Sequence, residues 1–279
     1  MALCFFASDL HGRRRRYEAL FEAVERDAPA AVFLGGDLLP HPAVEDGQAF
    51  LEGVLARGFG RAREALGDRS PRVFLILGND DPAREEEHLL RLGEAGLWDY
   101  AHGRRVPFGD LVVCGYSFVP PSPFLLKDWE RYDVSRYVDP GCVAPEDGIR
   151  TLPAPEGVPR TIQDDLAELF AEVEPRRAIF LFHGPPYRTL LDRAALDGRT
   201  VDHAPLDVHV GSIAVRRFIE ERQPLLALHG HIHESARLMG GFRDRIGRTV
   251  LLSAAHDGPE LALVRFDPQD PAAATRELV

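Results

Sequence analysis

The sequence predicts an α/β fold in which buried strands end in side chains able to bind metal. Two observations carry that expectation. Five short apolar runs, bounded by Gly or Pro, have the composition of strands covered on both faces. Each run also ends in an oxygen or nitrogen donor, and ligands gather outside the carboxyl ends of such strands. Leu3-Cys4-Phe5-Phe6-Ala7 leads to Asp9 and His11, and Ala31-Val32-Phe33-Leu34 to Gly35-Gly36-Asp37. Val73-Phe74-Leu75-Ile76-Leu77 ends at Gly78-Asn79, and Ala178-Ile179-Phe180-Leu181-Phe182 at His183. Leu225-Leu226-Ala227-Leu228 leads into Gly230-His231-Ile232-His233. With the five strands side by side, seven donor side chains converge in one pocket, enough for two metal ions.

Between these runs the apolar spacing becomes helical. Arg15 to Arg26 carries Ala19, Leu20, Ala23 and Val24 at helical spacing. Ala43 to Ala65 is a second helical stretch, interrupted by Gly53, Gly58 and Gly60. Ala83 to Ala95 is a third, with Pro82 well placed at its start. The pattern then changes to a hairpin: Arg104 to Pro107, a turn at Gly109-Asp110, and Leu111 to Gly115. Short strands near Leu238 to Phe242, Thr249 to Ser253 and Leu261 to Phe266 close the chain. Two sheets packed face to face, with helices outside, accommodate both halves. The donor-bearing strands span residues 3 to 233, so 1–279 is read as one domain.

Taken singly, most of these donors have ordinary explanations. Asp-x-His pairs are common, Gly36-Asp37 reads as an Asx-turn, and His183 as a core histidine bonded to backbone. Asn79 reads as a turn residue tolerant of left-handed geometry, yet it is the only asparagine in the chain. The run His229-Gly230-His231-Ile232-His233 places three histidines together. Their joint occurrence at strand ends, in order, points to a metal centre. Imidazole and carboxylate donors without thiolate suit manganese, iron, zinc or nickel, whereas all-oxygen sites suit magnesium or calcium.

Asp9-x-His11, Gly36-Asp37, Gly78-Asn79, His183 and Gly230-His231-x-His233 resemble the ordered motifs of the calcineurin-like metallophosphoesterases, from residue 3 to about residue 257. The resemblance implies a four-layer α-β-β-α sandwich with two mixed sheets. It also implies that Asp9, His11 and His233 hold one divalent ion while Asn79, His183 and His231 hold the other. Asp37 would bridge them, one carboxylate oxygen to each. Two ions about 3.5–4 Å apart would clamp a phosphoryl group and deprotonate the attacking water between them. The implied activity is hydrolysis of small-molecule phosphate esters.

One position departs from the family. Where its pattern continues Gly-Asn-His, this chain has Gly78-Asn79-Asp80-Asp81, so Asp80 stands in the place of the catalytic histidine. Nearby cations favour the ionised carboxylate, which is a poor general acid at neutral pH. Asp80 is then readable as an extra ligand, an orienting acceptor or a solvated loop residue ahead of a catalytic acid, and it is the one candidate catalytic residue the motif offers. Loss of the acid leans the reading toward phosphodiesters; a phosphomonoesterase and a non-catalytic scaffold are the alternatives. All seven ligand positions carry suitable side chains, which speaks against a scaffold. Asp81 matches the family's acidic position and is expected to hydrogen-bond a ligand imidazole. A metallo-β-lactamase site needs His-x-His-x-Asp-His, and Glu234-Ser235 after His233 excludes it.

Composition agrees with a cytoplasmic enzyme. The net charge of −11 gives a field that repels nucleic acid. Cys4 and Cys114 lie in apolar runs and read as buried thiols of a reducing compartment. There is no secretory pattern and no run approaching ~18 apolar residues, so neither export nor membrane spanning is expected. Residues 117 to 160 are rich in proline and aromatics, and read as an ordered insertion serving as a lid or an oligomer contact. Gly184 to Gly211 forms a second loop, in which His203 and His209 are read as loop residues or supports of the ligands. It ends at Ser212, expected to cap a helix running to Gln223 whose N-terminus is a candidate phosphate contact.

Overall fold

In the computed structural model, which describes residues 2–154 and 160–279, helical crossovers and tight turns divide the strands between two sheets. The first half runs β1 (Cys4–Ala7), α1 (Arg14–Asp27), β2 (Ala31–Gly35) and α2 (Gly47–Phe50). A π-helical turn (Leu51–Ala56) joins α2 to α3 (Arg57–Leu66), followed by β3 (Arg72–Ile76), α4 (Glu86–Glu94) and β4 (Asp99–Tyr100). Each of the first three strands returns through helix, so β1, β2, β3 and β4 are parallel neighbours. The hairpin of β5 (Arg105–Phe108) and β6 (Leu111–Tyr116) is antiparallel, as its two-residue turn requires.

The second half runs α5 (Ile162–Leu169), β7 (Ala178–Phe182), a small hairpin of β8 (Thr200–Val201) and β9 (Ala204–Pro205), and α6 (Ile213–Arg222). It continues through β10 (Leu226–His229), α7 (Ser235–Met239), β11 (Arg243–Ile246), β12 (Thr249–Ser253), β13 (Ala262–Phe266) and β14 (Thr275–Leu278). The sheet orders are β14-β13-β1-β2-β3-β4 and β11-β12-β10-β7-β6-β5. Both are mixed: β13 pairs antiparallel with β1, and β11 with β12.

The five donor-bearing strands therefore do not lie side by side. Three belong to the first sheet and two to the second, and the sheets face each other. Side-chain alternation makes the layers. Cys4 and Phe6 of β1 point into the core between the sheets, where Ile179 and Leu181 of β7 meet them. Phe5 and Ala7 point the other way, onto Tyr17, Leu20 and Val24 of α1. Phe180 and Phe182 cover Val215, Phe218 and Ile219 of α6. Both faces of each central strand are buried, which is why the runs are continuously apolar. The result is the expected α-β-β-α sandwich.

Two local expectations need correction. Leu238 and Met239 end α7 rather than forming a strand; Gly240, in the left-handed region, stops the helix and the strand starts at Arg243. The helix read from Ala43 begins at Gly47, where Asp46 accepts the Ala49 N–H at 2.9 Å, and it continues through all three glycines. The short strand β4 and the last strand β14 carry too little pattern to have been anticipated. The insertion is tied to both halves: Asp128 accepts from Ala83 N at 2.8 Å, and Asp133 from Ile213 N at 2.7 Å. Inside it, the fully buried Lys127 pairs with Glu130 at 2.5 Å. Its expected final stretch, residues 155–159, lies outside the described residues. No helix among the described residues is long and apolar enough to cross a membrane.

Candidate dinuclear metal centre

The candidate ligands follow the carboxyl ends of parallel strands, and four of them sit where the backbone turns sharply. Asp9 (φ 58°), His11 (φ 48°), Asp37 (φ 52°) and His231 (φ 72°) are all left-handed. They are four of the nine non-glycine residues with positive φ among the described residues, a concentration that helical or sheet packing does not demand. Such backbone costs about 1–3 kcal/mol per residue and persists only where other bonds impose it. Here Asp9 N donates to Gly36 O at 3.0 Å and His11 N to Asp37 O at 2.8 Å, locking two loops of the first sheet. The sheets are joined across the site by His231 N, which donates to Asp9 Oδ1 at 2.9 Å.

Two donor clusters share Asp37. Ligand atoms of Asp9, His11, Asp37 and His233 lie within 4.8 Å of one another, as do those of Asp37, His183 and His231. His11 Nε2 and His233 Nε2 face each other at 3.1 Å, a separation that calls for a shared proton or cation between two lone pairs. His233 Nε2 is 3.3 Å from Asp9 Oδ1. In the other cluster, His183 Nδ1 donates to Gly35 O at 2.8 Å, so its Nε2 is left to face Asn79 Oδ1 at 3.0 Å. Asn79 thereby joins His183 as a neighbouring oxygen donor.

The two oxygens of the shared carboxylate have different surroundings. Asp37 Oδ2 faces both clusters, 3.3 Å from His183 Nε2 and 3.9 Å from His11 Nε2. Oδ1 is committed to the backbone N–H of Asp80 at 2.8 Å. A single oxygen stands between the two halves because the other is already hydrogen-bonded.

Electrostatics follow from crowding carboxylates and imidazoles out of water. Burial would raise Asp9 and Asp37, but the surrounding rings outweigh it, chiefly His233 for Asp9 and His183 for Asp37, and hold both low. For His183 burial pulls down, yet Asp37 and then Asp9 lift it to about 10. Burial first, and the neighbouring His183 second, push His231 down to about 3. The field of two buried carboxylates that retains a proton on His183 also favours a divalent cation.

The sequence matches the family model of the calcineurin-like phosphoesterases over residues 4–235. The chain belongs to the calcineurin-like phosphoesterase family. Among curated proteins none matches the sequence. Among solved structures it is similar to TT1561 of Thermus thermophilus, with 16% identity and a TM-score of 0.60 over 99% of this chain and 98% of that one. It is similar also to a dimetal phosphatase from Danio rerio, with 13% identity and a TM-score of 0.52 over 95% of this chain and 91% of that one. At such identities the likeness is one of fold.

Several residues of this chain are placed differently from what the sequence suggested. Asp81 hydrogen-bonds to no imidazole among the described residues. Fully buried, it accepts from the backbone N–H groups of Leu38 (3.0 Å), Leu39 (2.7 Å) and Gly78 (2.9 Å), tying the loop after Asp37 to the loop before Asn79. Asp80 lies at the rim, its side chain 50% exposed. Burial and then Asp37 push its carboxyl up. Ser212 caps α6 as expected, its Oγ accepting from Val215 N at 3.0 Å. The end of that helix is not free for phosphate, because the Asp133 carboxylate already takes the Ile213 and Ala214 N–H groups. His209 Nδ1 bonds Asp192 at 2.8 Å and braces the loop after His183, while His203 stands exposed. Cys4 and Cys114 are buried, and burial pushes both thiols up to about 12.

Arg16 is a support the sequence reading passed over. It is 3% exposed and donates to the carbonyls of Asp9, His256, Gly258 and Pro259, binding the first ligand loop to the loop after β12. The signal was its position: four residues before Leu20 and eight before Val24, it lies on the apolar stripe of α1.

Proposed function

We propose that this chain is a metal-dependent phosphoric ester hydrolase, one domain over residues 1–279, with a preference for diesters. Two divalent ions, drawn from manganese, iron, zinc or nickel, would be held by Asp9, His11 and His233 on one side and by Asn79, His183 and His231 on the other. Asp37 lies between them. The observation that carries this reading is the convergence of two donor clusters on one carboxylate oxygen, Asp37 Oδ2.

The residues fit such ions. The set is oxygen and imidazole nitrogen, suited to borderline metals. The Gly35 carbonyl holds the His183 tautomer that leaves Nε2 free. Gly78 makes room for the bridge, since a Cβ there would stand 2.3 Å from Asp37 Oδ1. Bound in this site, two ions supply an activated water and neutralise charge on the phosphoryl oxygens. The protein's own part is to fix the ligands on short loops that two facing sheets hold rigidly, so that little reorganisation is needed during reaction.

The diester preference is supported by Asp80. Asp80 follows Asn79 where the family has the histidine that would protonate a leaving oxygen, so departure depends on the leaving group itself. An acidic rim repels a monoester dianion more than a diester monoanion. The phosphate ester would enter beside the insertion, whose Val119 lies so near Gly184, in the loop after His183, that a Cβ on the glycine would stand 3.2 Å from Val119 Cγ1.

Elemental analysis and rates against mono- and diester panels test the reading. Two ions per chain are expected, and Asp37→Asn should lower the rate by about 10³-fold or more while leaving the fold intact. A variant within about tenfold of the parent at full metal loading would refute the assignment of Asp37.

A further inference from the structure

We infer that Asp80 is a positioning residue that holds ligands of both half-sites in register, and that it does not protonate the leaving group. The inference rests on the dinuclear reading above. Its evidence is what each oxygen of the carboxylate touches. Oδ1 accepts from Asn79 Nδ2 at 2.9 Å. That bond settles which way the amide points: with Nδ2 on Asp80, Asn79 Oδ1 is turned to His183 Nε2 at 3.0 Å, into the second cluster. A flipped amide would present N–H donors there, and an N–H cannot ligate a cation.

Oδ2 faces His11 Nδ1 at 3.6 Å. This is longer than a hydrogen bond, so it acts through charge. A carboxylate opposite Nδ1 favours the tautomer protonated there, which leaves Nε2, the atom facing His233 in the first cluster, as the free lone pair. Oδ1 thus accepts a hydrogen bond and Oδ2 acts as a negative charge toward the His11 edge, which is the opposite of a proton donor's role. The backbone N–H of Asp80 independently holds Asp37 Oδ1 and survives any change of side chain. Substitutions therefore isolate the carboxylate.

The test compares the full-length parent with Asp80→Ala and Asp80→Asn, using Mn²⁺ titration by calorimetry and rates on aryl and alkyl diesters of graded leaving-group pKa. Supporting carboxylates beside metal ligands are worth about 10–100-fold in metal affinity. Asp80→Ala should weaken Mn²⁺ binding by that factor and lower all rates in parallel at limiting Mn²⁺, with recovery at excess. Asp80→Asn keeps an acceptor for Asn79 Nδ2, so it should bind Mn²⁺ far more nearly like the parent. An unchanged Mn²⁺ affinity in Asp80→Ala, with rates falling more steeply for poorer leaving groups, would identify a lost acid and overturn the inference. If Asp80→Ala fails to fold, Asp80→Asn decides alone: it cannot act as an acid, so a steepened leaving-group dependence overturns and a parallel one supports. A parent that takes up none of manganese, iron, zinc or nickel would overturn the dinuclear reading itself, and this inference with it; if it takes another of these ions in place of Mn²⁺, the same titrations are read with that ion.

Discussion

Removing the Asp81 carboxylate should loosen two ligand loops at once. Asp81→Ala leaves three buried backbone donors, Leu38 N, Leu39 N and Gly78 N, without their acceptor. Each unsatisfied buried donor costs about 1–3 kcal/mol, and partial relaxation or entry of water puts the sum near 3–6 kcal/mol. For a chain of this size that is a fall of roughly 6–15 °C in melting temperature. Asp81→Asn should be milder. Its amide oxygen can take the place of Oδ2 and keep the bonds from Leu38 and Gly78, but its NH₂ then meets the Leu39 N–H. One bond is lost and two donors oppose, at about 1–3 kcal/mol. The expected order of stability is parent, then Asp81→Asn, then Asp81→Ala. Thermal unfolding with and without Mn²⁺ measures it, and the Mn²⁺-induced rise in melting temperature should shrink in the same order because the loops carry Asp37 and Asn79. An Asp81→Ala protein melting within about 2 °C of the parent would refute the account. So would an Asn variant less stable than the Ala variant.

Three further outcomes are expected. Gly78→Ala would place a methyl group 2.3 Å from Asp37 Oδ1 and 2.7 Å from His183 Cε1, so Mn²⁺ uptake measured by calorimetry should be lost while the far-ultraviolet circular dichroism is retained. His102 is pushed from 6.5 down to about 3, by burial and then by Arg131 and Arg104. Its stabilisation is therefore present above pH 6.5 and lost as pH falls toward 3, since only the unfolded chain takes up the proton there. His102→Asn, which can still accept from Ser117 N, should lose about 1–2 kcal/mol less than the parent between pH 7 and pH 5 in denaturant titrations; equal losses would exclude His102 as the group. At excess metal ion, Asp80→His, restoring the family's histidine after Asn79, should raise alkyl monoester rates more than aryl diester rates, by some part of the ~10²–10⁴-fold typical of general acid catalysis. A parent that already cleaves alkyl monoesters as readily as aryl diesters would contradict the diester preference.

The metal-type residues were legible in the sequence because their signal is local. An apolar run shows where a strand ends, and Asp9, His11, Asp37, Asn79, His183, His231 and His233 follow within a few residues of such ends. Residue type then states what the donors can bind. The alternation within β1 and β7 was not legible, because a strand buried on both faces is apolar at every position whichever sheet it joins. Only packing divided the five strands into three and two, and brought Asp9 against His231 across 222 residues. The bonds of Asp81 to Leu38 and Leu39, and of Asp133 to the start of α6, likewise span 43, 42 and 80 residues. A buried carboxylate bonds whatever N–H the folded chain sets beside it, and the residue type alone does not say which. The sequence thus determined what chemistry the chain carries and at which ends of which strands. Tertiary structure decided which oxygen of Asp37 stands between the clusters, what Asp80 and Asp81 hold, and that the α6 terminus is closed, because each depends on a contact between segments distant along the chain.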